Sequence, residues 1–318
     1  MSAVGLLRLG IAFGWVALVA LIDATPLHAW GPATHVALGE GLLSALYLLP
    51  PALRALLERY PVQFLYGSIA ADISFAKKYA AAGRHCHHWH IGEEILEAAP
   101  DEPLRAVAFG YLAHLAADTV AHNIYVPRQL LLTNTSKGVG HTYWEHRMDM
   151  HAGEAYLAEA RRLITEHDHR AADELFDEVL SATLFSFQTN RRIFRGMIRF
   201  QGNERWQKVF DSVLRNSRWD LPDPLVRRYL ELSFEAIVDY LVNRERSAPA
   251  REDPIGEVNL RLAKQIRHRE LADGAIDDPE LLARSADAFF PIPDDPPGVP
   301  IPAALGQRGR LRGETRAI

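Results

Sequence analysis

His114, Asp118 and His122 stand four apart in the run His-Leu-Ala-Ala-Asp-Thr-Val-Ala-His. On an α-helix each step of four advances about 40° around the axis, so the three fan across one face. The two imidazoles then lie roughly 80° apart with the carboxylate between them. That spread suits two neighbouring metal ions bridged by a carboxylate better than one ion clamped by all three groups. The flanking Val107, Phe109, Tyr111, Leu112, Leu115 and Val120 are apolar, so this helix is expected to be buried. Buried imidazoles and carboxylates need partners or a metal to offset their lost hydration. The stretch alone therefore allows two readings: core polar groups bonded to one another, or a metal site.

Composition narrows the choice. Nine of the 14 histidines fall between His85 and His151, and His35 precedes them. A local excess of His interspersed with Asp and Glu is the compositional mark of metal binding. The single cysteine, Cys86, excludes a disulfide framework. A net charge of −5 gives no electrostatic footprint for a stable nucleic-acid partner, although a nucleic-acid substrate held by metals is still allowed.

Residues 1–29 read as a secretory signal: Arg8 precedes an apolar run from Ile11 to Ile22, followed by an exit of Thr25, Pro26, Leu27, His28 and Ala29. Secretion or export to a periplasm follows; an uncleaved N-terminal anchor is the alternative. Cleavage after Ala29 makes Trp30 the first residue of the mature chain, and a cut near Ala24 is the other candidate. A free α-amine with its own carbonyl forms a five-membered chelate for zinc once deprotonated. His35 lies five residues on, in the first turn of a helix that starts after Pro32.

With Trp30, His35 and the His114/Asp118/His122 face in view, the sequence resembles the zinc-dependent phospholipase C family, whose wider superfamily includes the single-strand-specific zinc nucleases. The resemblance covers Trp30 to His151. It extends to Asp72 in Gly-Ser-Ile-Ala-Ala-Asp-Ile, to His87 followed two places later by Trp89, and to His141 and Glu145 in His-Thr-Tyr-Trp-Glu. The resemblance implies an all-α, multi-helix bundle with three Zn²⁺ ions. Asp72, His87, His114 and Asp118 would hold the first. The amine and carbonyl of Trp30, His35 and the bridging Asp118 would hold the second. His122, His141 and Glu145 would hold the third. Asp72 would also act catalytically, orienting or deprotonating the attacking water. Where the family places five residues between the bridging Asp and the next ligand His, this chain has three between Asp118 and His122. His85, His88 and His90 compete with His87. The family's choline-recognition positions carry Ala33 and Ile73.

The elements that must position these groups are helices. Expected helices span about 33–48, 52–59, 62–72, 87–100, 103–125, with an end before Pro127, and 141–166 as one long element. Loops are expected at 77–83 and 132–139. From Arg170 to Val242 the apolar spacing stays helical, through Leu175, Phe176, Val179, Leu180, Leu184 and Phe185. Arg191, Arg192, Arg195 and Arg199 flank Phe194 and Ile198 there, either as a solvated basic side of a packed helix or as a surface for anionic membrane. The helical domain is expected over 30–272, with a motif-bearing core at 30–151 and a helical extension at 170–272. The tail, 273–318, is expected to be poorly ordered from about 287. No strand-like alternation is evident.

Metal-lowered water acidity makes hydroxide available at neutral pH, and the metal charge offsets that of a phosphate ester. The expected function is thus phospholipase C-type hydrolysis of a phospholipid, with transient contact at a membrane surface. A single-strand nuclease or other phosphodiesterase is the runner-up, and a non-catalytic metal-binding module stays open. Trp89, Trp144, Phe75 and Tyr79 are candidates for a pocket wall or for core packing.

Overall fold

The computed structural model describes residues 30–73, 83–133, 139–180, 187–201, 221–272, 278–295, 297–303 and 305, with backbone alone at 139–142, 187, 197–201, 271 and 272. The segment expected to be a signal, residues 1–29, Phe75, Tyr79, most of the loop expected at 77–83 and the middle of the loop expected at 132–139 lie outside them. The described residues form an all-α bundle without strands. In chain order the helices are α1 (Pro32–Ser44), α2 (Pro51–Arg59), α3 (Pro61–Ala70), α4 (Trp89–Ala98), α5 (Glu102–Val120), α6 (Val126–Leu132), α7 (Val139–Ala152), α8 (Glu154–Glu166), α9 (Arg170–Val179), α10 (Phe187–Gln201), α11 (Asp223–Asn243), α12 (Glu257–Ala272) and α13 (Pro279–Phe289). No described helix is long and apolar enough to cross a membrane.

The buried axis is α5, which carries the His114/Asp118/His122 face and packs against α3, α4 and α11. Its start is specified locally. Asp101 accepts a hydrogen bond from Leu104 N at 2.9 Å, and Pro103 sits in the first turn, where its missing N–H costs nothing. The crossing with α3 is backbone against backbone. A Cβ on Gly67 would lie 2.0 Å from Val107 O, and one on Gly110 2.0 Å from Phe64 O, so only glycine fits at either place. This approach brings the main chain of α3 close enough to α5 to contact its polar side chains.

Four expectations about the elements are corrected. The central helix does not stop before Pro127. It widens into a π-helical turn at Ala121–Tyr125, where Val126 N reaches back five residues to Ala121 O, and then continues as α6. Pro127 has no N–H to give Asn123, and its ring needs room there; a π-turn directly before it meets both demands. The helix expected over 141–166 is two, because Gly153 adopts φ 104°, a left-handed conformation that breaks α7 from α8. The helix expected over 33–48 ends at Ser44 and is followed by a separate 3₁₀ turn, Leu46–Leu48. Of the segment expected to be poorly ordered from about 287, described residues up to 305 pack: Phe290 and Leu305 are buried, and Arg128 donates to Ala286 O at 3.0 Å and Phe290 O at 2.7 Å. Residues 306–318 lie outside the described set.

On α10 the packing reading holds for the described residues. Phe194 is buried, Arg191 donates to the Asp173 carboxylate, and Arg195 donates to Thr165 O at 3.2 Å. Trp89 and Trp144 also belong to packing. Trp89 stacks on Tyr240 with ring centres 4.0 Å apart, and the buried Trp144 donates to Thr133 Oγ1 at 3.3 Å.

Candidate metal centre

Five of the expected groups meet at one buried point. His35 comes from the first turn of α1, Asp72 from the 3₁₀ turn Ala71–Ile73 after α3, His87 from the turn before α4, and His114 and Asp118 from α5. All five are buried. Asp118 stands at the middle: its carboxylate lies 3.4 Å from His35 Nε2, 3.2 Å from His87 Nε2 and 3.2 Å from His114 Nε2. Asp72 Oδ1 approaches His87 Nε2 at 3.4 Å and His114 Nε2 at 3.9 Å. The rings of His35 and His114 stack with centres 3.9 Å apart. Despite these distances, the angles leave both oxygens of Asp118 and Nε2 of His35 without a hydrogen bond among the described residues. The groups point at a common space more than at one another.

Their outer contacts explain the aim. His114 Nδ1 faces Ser68 O at 2.9 Å; a carbonyl only accepts, so Nδ1 carries a proton and Nε2 is the nitrogen left to offer a lone pair. Cys86 Sγ donates to Ala71 O at 3.5 Å and so acts as acceptor toward His87 Nδ1 at 3.3 Å. That again leaves the lone pair on Nε2. The two Nε2 atoms, 3.1 Å apart, therefore face each other with lone pairs, an arrangement that repels unless a cation or a proton lies between them. Outer partners that fix imidazole tautomers in this way are typical of metal ligands.

The charges agree. Burial alone would raise the Asp118 carboxyl, yet the imidazoles of His114, His35 and His87 outweigh it and hold it well below the ordinary carboxylate range. Burial, with His114 beside it, lowers His35 so that it stays neutral. An ionised carboxylate ringed by imidazoles is a donor set for a divalent cation, and its nitrogen and carboxylate mix suits Zn²⁺. Three groups of mutually close donors lie among the described residues, His85/Cys86/His87, His35/Asp72/His114 and His87/His114/Asp118; the last two share His114 and meet at Asp118.

The remaining expected residues surround this cluster. His122 is fully buried in the π-turn, its ring centre 6.5 Å from that of His87 and its Nδ1 3.9 Å from Asp118 Oδ2. The Trp30 indole is buried, donates to Ala117 O at 3.2 Å and packs on Tyr125 with ring centres 4.7 Å apart, so Trp30 is anchored beside the residue that precedes Asp118. Glu145 is buried on α7 in the electrostatic surroundings of Tyr125. The backbone of His141 lies in α7, and its side chain is outside the described set. Among the competing histidines, His87 is the one at the centre. His85 accepts from His87 N through Nδ1 at 3.1 Å, while His88 and His90 stack on each other farther out, with His90 exposed.

Sequence reasoning missed four contributors: the carbonyls of Ser68 and Pro254, the thiol of Cys86 and the carboxylate of Asp149. Pro254 O meets His122 Nδ1 at 2.5 Å. Asp149 accepts from Ala33 N at 3.2 Å, Thr34 N at 2.9 Å and Thr34 Oγ1 at 2.6 Å. Burial pushes Asp149 up to about 6, against the pull of those three donors. Asp149 lies four residues after Glu145, one turn on along α7, and that spacing was the only available signal.

No curated protein and no solved structure gives a match. A family model described as zinc dependent phospholipase C matches residues 34–190, a stretch that contains every expected ligand except Trp30. With its His/Asp cluster built for a divalent cation, the chain belongs to the zinc-dependent phospholipase C family, hydrolases of phosphate esters that work through zinc.

Proposed function

We propose that the protein is exported, is trimmed to begin at Trp30, and hydrolyses a phosphodiester of phospholipase C type, with a phospholipid as substrate. The observation that carries this reading is the convergence of His35, His87, His114 and Asp118 on one buried space, with tautomers set by outer carbonyls and a thiol. Three zinc ions are proposed: one with Asp72, His87, His114 and Asp118; one with the amine and carbonyl of Trp30, His35 and Asp118; and one with His122, His141 and Glu145. Bound zinc supplies Lewis-acid charge at the phosphate oxygens and lowers the pKa of water. The chain does the rest. Asp118 would be the carboxylate shared between neighbouring cations. Asp72 accepts the proton of the attacking water. The apolar walls of α3 and α5 keep bulk solvent from the site. A phospholipid substrate implies transient contact with a membrane surface.

Ala33 and Ile73 stand where the family's choline-recognition groups would be, which favours a head group other than choline and keeps a nucleotide phosphodiester as the second reading. Three measurements on the secreted protein test the proposal: N-terminal sequencing, metal analysis, and release of phosphorylated head groups from vesicles against nucleotide release from single-stranded DNA. Trp30 at the N-terminus, three zinc per chain and head-group release are expected. Nucleotide release alone would move the assignment to the nuclease branch. A zinc-loaded chain inactive on both substrates would make it a silent metal module.

A further inference from the structure

We propose that the segment from Asp253 to Gly256, beyond the stretch matched by the family model, is a positioning element for His122 and thereby part of the metal centre. The inference rests on the reading of His122 as a metal ligand. Two hydrogen bonds from this segment, and one from the helix that follows it, reach the π-turn that carries His122. Pro254 O accepts from His122 Nδ1 at 2.5 Å, which reserves Nε2 as the lone-pair nitrogen. Asn123, the next residue, donates through Nδ2 both to Thr119 O at 2.9 Å, within its own helix, and to Asp253 O at 2.8 Å. Asn259 on α12 closes the clamp by donating to Asn123 Oδ1 at 2.9 Å.

Gly256 makes the approach sterically possible. Its φ is +62°, and a Cβ there would lie 2.4 Å from His122 O and 2.6 Å from His122 Cβ. A side chain at 256 would therefore push the segment off the π-turn and carry the Pro254 carbonyl with it. The turn is held in shape by Asp253, whose carboxylate accepts from Ile255 N at 3.0 Å and Glu257 N at 3.1 Å. In a regular α-helix the backbone of residue 122 would be locked into the ladder. In the π-turn the ladder is already displaced, so the aim of His122 depends on an outside partner, and this segment is that partner.

The test uses the full protein with zinc as the probe. His122→Ala, Gly256→Ala and Asp253→Ala are compared with the parent by zinc stoichiometry, competition against a graded chelator, far-ultraviolet circular dichroism and long-range proton–nitrogen NMR of the imidazoles. His122→Ala is expected to lose one zinc. Gly256→Ala and Asp253→Ala are expected to weaken that same ion about 10–100-fold, leave the other ions and the helical signal unchanged, and convert the His122 ring from pure Nδ1–H to a mixture of tautomers. If Gly256→Ala does not fold, the milder variant Asp253→Ala, at a half-buried position, decides. Parental affinity and tautomer in the folded loop variants, beside a lost ion in His122→Ala, would overturn the positioning role while leaving the ligand reading intact. Full zinc content in His122→Ala would remove the ligand reading, and the positioning role with it.

Discussion

At the scale of single residues, Asp118 is the group on which the others depend. It is fully buried, and three imidazole nitrogens lie 3.2–3.4 Å from its two oxygens. A charge so placed is costly unless it is matched, and neutral imidazoles match it only in part. A cation held between the carboxylate and the imidazole nitrogens would match it. Asp118→Asn keeps the volume and removes the charge. The variant is expected to lose bound zinc on dialysis and at least about 100-fold of its phosphodiester activity, as measured by metal analysis and head-group release. Parental zinc content in the variant would show that the carboxylate bridges nothing. The face that carries Asp118 was legible in the sequence because a four-residue spacing on an apolar helix has one geometric meaning. The proton positions on its neighbours were not legible. They are set by Ser68 O, 46 residues from His114, and by Pro254 O, 132 residues from His122, and main-chain carbonyls leave no trace in residue identity.

At the scale of elements, α1 is held in register by a residue of another helix. The first turn of a helix exposes N–H groups that normally find a cap in the preceding residue, but Gly31 has no side chain to offer. Asp149 on α7 fills that role from 115 residues away, accepting from both Ala33 N and Thr34 N. Gly31 is needed for the contact, since a Cβ there would lie 2.1 Å from Asp149 Oδ2. Both Trp30 and His35 border this turn, so the cap fixes an expected ligand on each side of it. Asp149→Ala is expected to lower stability by about 1–2 kcal/mol, read from the denaturant midpoint, and to weaken zinc binding without changing the helical content much. An unchanged midpoint would mean that water replaces the carboxylate at no cost. Helix existence was readable along most of the chain from apolar spacing, and α1 to α5 fall close to their expected places. The errors came where local signals conflict with packing. Pro127 reads as a stop but is accommodated by a π-turn, and Gly153 is tolerated inside helical patterns yet here breaks one.

At the scale of the whole molecule, the metal centre occupies one part of the bundle and a second buried polar network braces another. Tyr66 on α3 donates to Asp173 on α9 at 2.6 Å, Arg191 on α10 pairs with the same carboxylate, and His169 stacks on Tyr66 with ring centres 3.5 Å apart. Because α3 also supplies Ser68 and leads into Asp72, loosening this brace reaches the centre through one rigid helix. Its acid sensitivity follows from His169, which donates to Leu163 O at 2.7 Å. Burial, opposed by that carbonyl and assisted by the nearby Arg191, pushes its pKa from the ordinary 6.5 down to about 4. The folded ring is therefore neutral across a range in which the unfolded chain takes up a proton. Stability from this residue is complete above pH 6.5 and is lost as pH falls toward 4, by at most about 3 kcal/mol at 1.36 kcal/mol per unit. Acid also strips zinc from imidazole, so the comparison belongs in excess chelator, where only the chain titrates. His169→Gln retains an N–H for Leu163 O and cannot ionise. Its urea midpoint at pH 7 is expected to lie below that of the parent because the ring stack is lost, and to fall less than the parent's between pH 7 and about 4.5. Equal falls in parent and variant would assign the acid sensitivity to other groups, with the five histidines and carboxylates that meet at the emptied centre the first to examine.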